Sequence, residues 1–385
     1  MAVSVKAPDD RSPRNLLRPC FAAISFCAAI FLGCTIPVVS PSVAARTTVP
    51  PSPPATPLTH RPFDTTKLDL TSTLIPSLAG RALVYAGMAI DQGAHVLYLG
   101  DQTASGVHVF DIALPTPRYL RTIALASPPV GLALAEDLHR LFIGTVTGAV
   151  VVVDVVAAVQ PGASLQTLDL GGKGRIDQLI YEPRGQMIFA ASSDDHVLTV
   201  IDAVHRVAVE RFVTGPGPLR LGVDAANGLV YLTDSTDKKV TQYGVASLGP
   251  LPPIPQFHNL PCDGIAVNPS TRQGLLSCMS AEGPYIQRLN FNDGKLIARY
   301  DQIGGADVMI YSVAADRYLI AAPDFTRGPA IWIYGGPLVV HITNVPVPAG
   351  SRGVAYDETN RIVYTADQRA GQAGLLGFPL PSGRP

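Results

Sequence analysis

Charged residues are scarce in this sequence, and lysine and arginine form no cluster in the body of the chain. Asp, Glu, Lys and Arg account for 15% of the 385 residues, and the formal net charge is -1. A protein that binds nucleic acid needs a positively charged surface to neutralise phosphates, so nucleic-acid binding is not expected. Hydrophobic residues make up 47% of the chain, which is enough to build a large core and excludes disorder over most of it.

The motifs of several enzyme classes are also absent. The eight histidines show neither His-x-His nor His-Glu-x-x-His spacing, so a zinc hydrolase site is not indicated. There is no Gly-x-Ser-x-Gly elbow, Walker loop, dinucleotide fingerprint or Cys-x-x-Cys-His motif. Serine-hydrolase, nucleotide and haem chemistry therefore have no support in the sequence.

Residues 20–39 form an apolar run that follows a basic segment, which is the pattern of an export signal. Three interpretations of residues 1–45 stay open. Residues 31–34 (Phe-Leu-Gly-Cys) resemble a lipobox in which Cys34 would be lipidated, the run is long enough to be an uncleaved membrane anchor, and the small residues 43–45 permit ordinary cleavage and secretion. Each interpretation predicts an extracytoplasmic body, either attached to the membrane or secreted. Residues 46–66 contain six prolines and are expected to be a linker without a core.

A unit of 42 to 47 residues recurs seven times after this linker. Each copy opens with a short apolar strand, and these strands are residues 87–91, 131–135, 178–182, 220–224, 264–268, 308–312 and 353–357. A polar turn, a strand rich in aromatic and β-branched residues, a third apolar strand and a fourth strand follow. Four antiparallel strands repeated in this way make blades that bury both faces against their neighbours. The expected fold class is all-β, a seven-bladed β-propeller of four-stranded antiparallel blades over residues 67–385.

The seventh unit lacks a fourth strand after residues 374–378, whereas residues 67–74 have the pattern of an outer strand and precede the first unit. We expect this N-terminal strand to complete the seventh blade and close the ring, which would remove an exposed sheet edge. A short linker strand is the alternative.

Two segments resemble the YVTN-type repeats of lactonase-like seven-bladed propellers, in which the second strand ends near Tyr-Val-Thr-Asn and the third reads Val-x-Val-Ile-Asp. They are residues 231–234 (Tyr-Leu-Thr-Asp) and residues 197–202 (Val-Leu-Thr-Val-Ile-Asp). Residues 275–278 and 319–322 depart from the pattern. The resemblance implies a propeller fold and, as one function, a lactonase-like hydrolase.

Charged residues immediately precede several inner strands, where propeller loops meet around a channel and ligands usually bind. Carboxylates at these positions could bind a divalent cation such as Ca²⁺, and a guanidinium could orient an anionic ligand. The candidates for the cation are Asp177, Asp263 and Asp307, and the candidate for the anion is Arg352. The alternative is that the carboxylates form ordinary ion pairs with Arg175, Arg220 and Arg352.

Cys262 and Cys278 flank a hairpin whose turn is residues 269–272, and antiparallel pairing centred on residue 270 places them opposite each other. Cross-strand neighbours have close Cβ atoms, so an oxidising compartment favours a structural disulfide over two free thiols or a redox-active pair.

These features favour a non-catalytic binding or scaffold module, expected to be monomeric, that uses its channel face to bind a protein, glycan or small-molecule ligand. The alternative is a lactonase-like or other cation-assisted hydrolase at the channel mouth. The sequence does not decide whether the protein is an enzyme.

Overall fold

The seven repeats fold as seven blades arranged in a ring, each blade a sheet of four antiparallel strands. The computed structural model describes residues 68–158, 164–301, 303, 305–306, 308–322 and 328–382. These residues belong to one unit, Thr59–Pro385. The predicted all-β propeller is therefore confirmed. The predicted export segment 1–45 with Cys34, and the linker 46–66, lie outside the described residues.

The first strand of each blade is the inner one, and adjacent inner strands contact each other around the ring. The inner strands are β2 (Tyr85–Asp91), β6 (Pro129–Ala135), β10 (Gln178–Glu182), β14 (Leu219–Asp224), β18 (Cys262–Asn268), β22 (Val308–Ser312) and β26 (Arg352–Asp357). Contact between β26 and β2 closes the ring. The second strands are β3 (Val96–Asp101), β7 (Arg140–Thr145), β11 (Met187–Ser192), β15 (Leu229–Asp234), β19 (Gln273–Ser280), β23 (Arg317–Ala322) and β27 (Ile362–Asp367).

The third and fourth strands complete each blade towards its outer edge. The third strands are β4 (Gly106–Asp111), β8 (Val150–Asp154), β12 (Val197–Asp202), β16 (Lys239–Gly244), β20 (Gly283–Asn290), β24 (Ala330–Gly335) and β28 (Gly374–Pro379). The outer strands are β5 (Arg118–Ala124), β9 (Leu165–Leu168), β13 (Val207–Val213), β17 (Gly249–Pro250), β21 (Leu296–Asp301), β25 (Val340–Pro346) and β1 (Thr71–Leu74).

The seventh blade combines the two ends of the described chain. Strand β1 pairs antiparallel with β28, from Thr71 opposite Gly377 to Leu74 opposite Gly374. The outer strand expected over residues 67–74 is thus observed over Thr71–Leu74, and residue 67 lies outside the described residues.

The turn between the first and second strands has the same design in every blade. Its last residue is left-handed, with φ between 50° and 65°, and these residues are His95, His139, Gln186, Gly228, Arg272, Asp316 and Arg361. A polar side chain at the end of the inner strand caps the turn in most blades. Oδ1 of Asp91, for example, accepts a hydrogen bond from the N–H of Ala94 at 2.8 Å. Such short polar side chains favour turns because they replace backbone hydrogen-bonding partners.

The core is divided among the seven interfaces between neighbouring blades. Each interface holds one cluster of buried apolar side chains, contributed by both blades. Trp332, which is 1% exposed, lies in the cluster between the fifth and sixth blades. The apolar runs of the second and third strands are explained by this arrangement, because their side chains are buried on both faces of the blade.

The fourth blade differs from the others at its outer edge. Its fourth strand, β17, has only two residues, and residues 251–261 continue as a proline-rich segment. Phe257 of this segment is 2% exposed and packs edge-on against Phe291, with 5.3 Å between ring centroids. Prolines cannot donate ladder hydrogen bonds, so the segment covers the blade without forming a new sheet edge.

Helical structure is limited to short segments in the described residues. They are the α-helix α1 (Val155–Ala158) and the 3₁₀ helices Pro76–Leu78, Glu136–Leu138 and Pro255–Phe257. Within the described ranges, no helix has the length and apolar character needed to cross a membrane.

Candidate functional site

The inner strands surround a central channel that contains a cavity of about 660 Å³. All seven blades contribute side chains to it. Cavities of several hundred Å³ are the size of ordinary ligand sites. The channel is therefore the first place to look for a binding site.

Polar side chains gather at the end of the channel where the inner strands begin. We call this end the polar mouth and define it by the residues Tyr85, Gln102, Arg175, Asp177, Gln178, Arg220, Arg352 and Gln368, all of which line the cavity. The loops that enter the inner strands and those that leave the second strands both open here. Among the described lining residues, three arginines and one aspartate carry charge.

Asp177 is held by an ion pair and two hydrogen bonds. Nε of Arg175 lies 3.2 Å from its Oδ1, and the side chain of Asp177 is only 10% exposed. Ser193 donates both its backbone N–H and its hydroxyl to Oδ2. This arrangement matches the ion-pair interpretation of Asp177, since both carboxylate oxygens already have partners.

Two of the three carboxylates proposed as calcium ligands, Asp263 and Asp307, are not among the described residues that line the cavity. Asp263 is half-buried beside a β-bulge in β18, and it is not among the residues that line the channel. Asp307 lies outside the described residues. Among those that are described, no three His, Cys, Asp or Glu side chains come together as a metal site. The proposed calcium site of Asp177, Asp263 and Asp307 stays a prediction.

Three glutamines at the polar mouth were not predicted from the sequence to be part of the site. Gln178 links the third and fourth blades, since its Oε1 accepts from Leu221 N–H at 2.8 Å and its amide donates to the Leu221 carbonyl at 3.4 Å. Oε1 of Gln368 accepts from Tyr85 N–H at 2.7 Å, linking the seventh and first blades. A signal for two of them exists, because Gln102 and Gln368 each follow the aspartate that ends a second strand.

The aspartates that end the second strands act as turn caps near this mouth. Asp101 is fully buried, and its carboxylate accepts from the N–H of Val84 and Thr103 and contacts Nε2 of His108 at 3.2 Å. Burial alone would raise the pKa of Asp101, but these hydrogen bonds outweigh it and lower the pKa. The carboxylates of Asp234 and Asp367 likewise accept turn N–H groups.

Cys262 and Cys278 pair across β18 and β19, and the structure joins them by a disulfide. Both are fully buried. Cys262 begins an inner strand, so the bond connects that strand with the second strand of its blade close to the polar mouth.

The opposite end of the channel is lined mainly by apolar side chains of the first three blades. We call it the apolar mouth and define it by Met88, Ala89, Ile90, Leu132, Ala133, Leu134, Leu179, Ile180 and Tyr181, with Glu136, Asp137 and Pro183 at its rim. Its volume is about 770 Å³. Met88, Leu132, Leu179 and Ile180 line both this depression and the central cavity.

Among solved structures, 1607 chains are similar to this one. One, from the "Crystal Structure of Mitotic Checkpoint Complex", aligns with a TM-score of 0.62 and 15% sequence identity, covering 86% of this chain and 96% of that chain. No family model matches the sequence, and neither does any curated protein. At this identity the similarity shows the propeller fold. The resemblance to lactonase-like propellers stays a prediction.

Proposed function

We propose that this protein is a binding module that holds its ligand or partner at the polar mouth of the channel. The observation that carries the proposal is the convergence of charged and amide side chains from several blades on one cavity of about 660 Å³. Tyr85, Gln178, Arg220 and Arg352 lie on inner strands, and a site on strands is largely preformed, which keeps the entropic cost of binding low.

The polar mouth favours a ligand with an anionic group. Arg220 and Arg352 belong to different blades and line the same cavity, and the described lining carries three arginines against one aspartate, which makes its charge net positive. A guanidinium matches the planar geometry of carboxylates and phosphates. Acidic glycans, small carboxylates and acidic protein segments all offer such a group.

A protein partner has one further argument in its favour. One of the similar chains of known structure comes from the crystal structure of a complex, the mitotic checkpoint complex. The sequence identity of 15% limits this to an analogy between folds.

We also propose an extracytoplasmic location, with attachment or export through the N-terminal segment. The apolar run at residues 20–39 supports it. The cross-strand pairing of two buried cysteines is a second support, because structural disulfides persist in oxidising compartments.

Thermal unfolding in the presence of carboxylate, phosphate and uronic-acid ligands tests the proposal. We expect at least one of them to stabilise the wild type, since a ligand at a hundred times its Kd adds about 2.7 kcal/mol. The double variant Arg220→Gln/Arg352→Gln should lose this stabilisation, whereas Arg81→Gln/Arg118→Gln, at exposed positions outside the channel, should retain it. Equal stabilisation of all three proteins would refute the site.

A calcium titration of the wild type and of the variant Asp263→Ala addresses the hydrolase alternative. Two results together would favour a cation-assisted enzyme over the binding module. Calcium would have to stabilise the wild type but not Asp263→Ala, and the wild type would have to hydrolyse a lactone. Asp177 is a poor calcium ligand in the arrangement observed, because Arg175 and Ser193 occupy both oxygens.

A further inference from the structure

We infer that the apolar mouth docks a segment of a partner protein in which apolar side chains lie beside a lysine or arginine. This surface is at the end of the channel opposite the polar mouth, so the inference does not depend on the proposed function.

The apolar part of the surface comes from three neighbouring inner strands. Met88, Ile90, Leu134, Ile180 and Tyr181 are all half-buried, so each of them exposes apolar area to solvent in the free protein. Removing such area from water contributes about 25 cal/mol per Å² to binding, against the entropic cost of association. Contiguous apolar patches with a polar rim are characteristic of interaction sites.

The charged part of the surface is negative. Glu136 and Asp137, in the turn of the second blade, are the charged residues that line this depression in the described structure. Oε1 of Glu136 accepts from Gly93 N–H at 2.8 Å. Oδ2 of Asp137 accepts from the Tyr181 hydroxyl at 3.0 Å and from the Gln186 amide at 3.2 Å.

These hydrogen bonds use one oxygen of each carboxylate and come from neutral donors. In the described part of the chain, neither carboxylate forms an ion pair. Two uncompensated negative charges therefore border an apolar surface. A cation next to apolar groups complements this arrangement, because charges of opposite sign across an interface favour the correct partner.

The shape of the depression favours a protein segment over a small molecule. At about 770 Å³ it is large, but it is widely open to solvent. A small molecule gains most of its affinity from being enclosed on nearly all sides. A peptide segment instead places a few apolar side chains in such a surface while its backbone stays outside.

The test uses the full chain and a short fluorescein-labelled peptide of leucine and lysine, with binding followed by fluorescence anisotropy at physiological ionic strength. A leucine–glutamate peptide tests the need for the cation, and a serine–lysine peptide tests the need for the apolar groups. We expect saturable binding of the leucine–lysine peptide and binding at least about tenfold weaker for the other two.

Variants localise the binding. Glu136→Gln/Asp137→Asn should weaken it by about threefold to tenfold, which is within the range expected for two exposed ion pairs. Leu134→Lys should weaken it further by placing a positive charge in the apolar surface. Asp69→Asn/Glu210→Gln removes the same charge at exposed positions away from both mouths and should leave binding unchanged.

Three results would overturn the inference. They are no saturable binding of the leucine–lysine peptide, equal binding of the leucine–glutamate peptide, and equal weakening by the apolar-mouth and control variants. Because Asp137→Asn and Glu136→Gln are nearly isosteric, they keep the test valid even if Leu134→Lys fails to fold.

Discussion

The two ends of the channel are built from the same inner strands but differ in their side chains and in how closely the blades approach. Near the polar mouth the strands carry glycines where a neighbouring blade comes close. A Cβ on Gly264 would lie 2.1 Å from the carbonyl oxygen of Ala306, and one on Gly353 would meet the Tyr85 ring at 2.3 Å. At the apolar mouth the corresponding strand ends carry Ile90, Leu134 and Tyr181 and leave a wide depression.

Residues near the start of an inner strand therefore have a different role from residues near its end. At the polar mouth, amide side chains such as Gln178 and Gln368 bridge neighbouring blades, so the polar groups there also hold the ring together. At the apolar mouth hydrogen bonds also link neighbouring blades, from the Gly93 N–H to Glu136 and from the Tyr181 hydroxyl to Asp137, but apolar side chains remain half-exposed there. Because the glycines of the polar mouth leave no room for a Cβ whereas the apolar mouth is a wide depression, we expect added carbon to reduce stability at the polar mouth and to affect mainly binding at the apolar mouth.

The largest effect is expected for Gly264→Ala, which adds one carbon at the polar mouth. The Ala306 backbone that it would meet is anchored, since its N–H donates to Oγ of Ser277 at 2.9 Å. We expect a loss of about 3 kcal/mol in the free energy of unfolding, measured in urea. Ala89→Val, which adds carbon at the apolar mouth, should change it by less than about 0.5 kcal/mol. Similar losses in the free energy of unfolding for both variants would show that the two mouths do not differ in packing.

The next effect concerns the disulfide. Cys262→Ala/Cys278→Ala opens a loop with a sequence separation of 16, and we expect a loss of roughly 3 kcal/mol in the free energy of unfolding. Reductant should destabilise the wild type by a similar amount and leave the variant unaffected. The full chain also contains Cys20, Cys27 and Cys34, so five rather than three titratable thiols in the unreduced, denatured protein would show that the bond is not formed.

A smaller effect is the pH dependence of the free energy of unfolding, which should differ between buried aspartates at the two ends of the channel. The hydrogen bonds of Asp101, near the polar mouth, lower its pKa despite burial, whereas burial of Asp224, at the other end of its blade, raises its pKa. The stabilising effect of Asp101 is complete above its unfolded pKa and is lost as pH falls through its lower folded pKa. The effect of Asp224 has the opposite sign, being present at low pH and lost as pH rises through the raised folded pKa.

Asp101→Asn should therefore cost about 1 to 2 kcal/mol at about pH 7 and less at about pH 3, measured by urea unfolding. Asp224→Asn should cost more at the acid pH than at neutral pH. Equal pH dependence of the two variants would contradict this assignment.

The smallest effect is expected in a turn at the apolar end. His139 is exposed and left-handed, with φ 51° and ψ 43°. His139→Gly should raise the free energy of unfolding by about 0.5 kcal/mol, because the relief of strain exceeds the extra entropy of glycine in the unfolded chain. Gly228→Ala, at the equivalent position of the fourth blade, should lower it by about 1 kcal/mol. A loss in His139→Gly would show that this conformation is not strained.

Several features of the fold could be predicted because they are local in the chain. The inner strands expected at residues 178–182 and 308–312 are observed over Gln178–Glu182 and Val308–Ser312. The pairing of Cys262 with Cys278 across two strands could be predicted by counting residues on either side of one hairpin turn. The shortness of the outer strand of the fourth blade, β17, was not predicted, because the prolines of residues 251–261 end a strand without indicating what packs beside it.

By itself, the sequence determined the number of blades and the order of strands, because apolar runs and turn residues act over a few positions and recur with one period. It also indicated the end of the channel where charge gathers. Only the tertiary structure decided that Asp177 pairs with Arg175 and that its carboxylate oxygens are both occupied. It alone revealed the apolar mouth, since Ile90, Leu134 and Tyr181 are more than 40 residues apart in sequence and meet only when the blades are arranged in a ring.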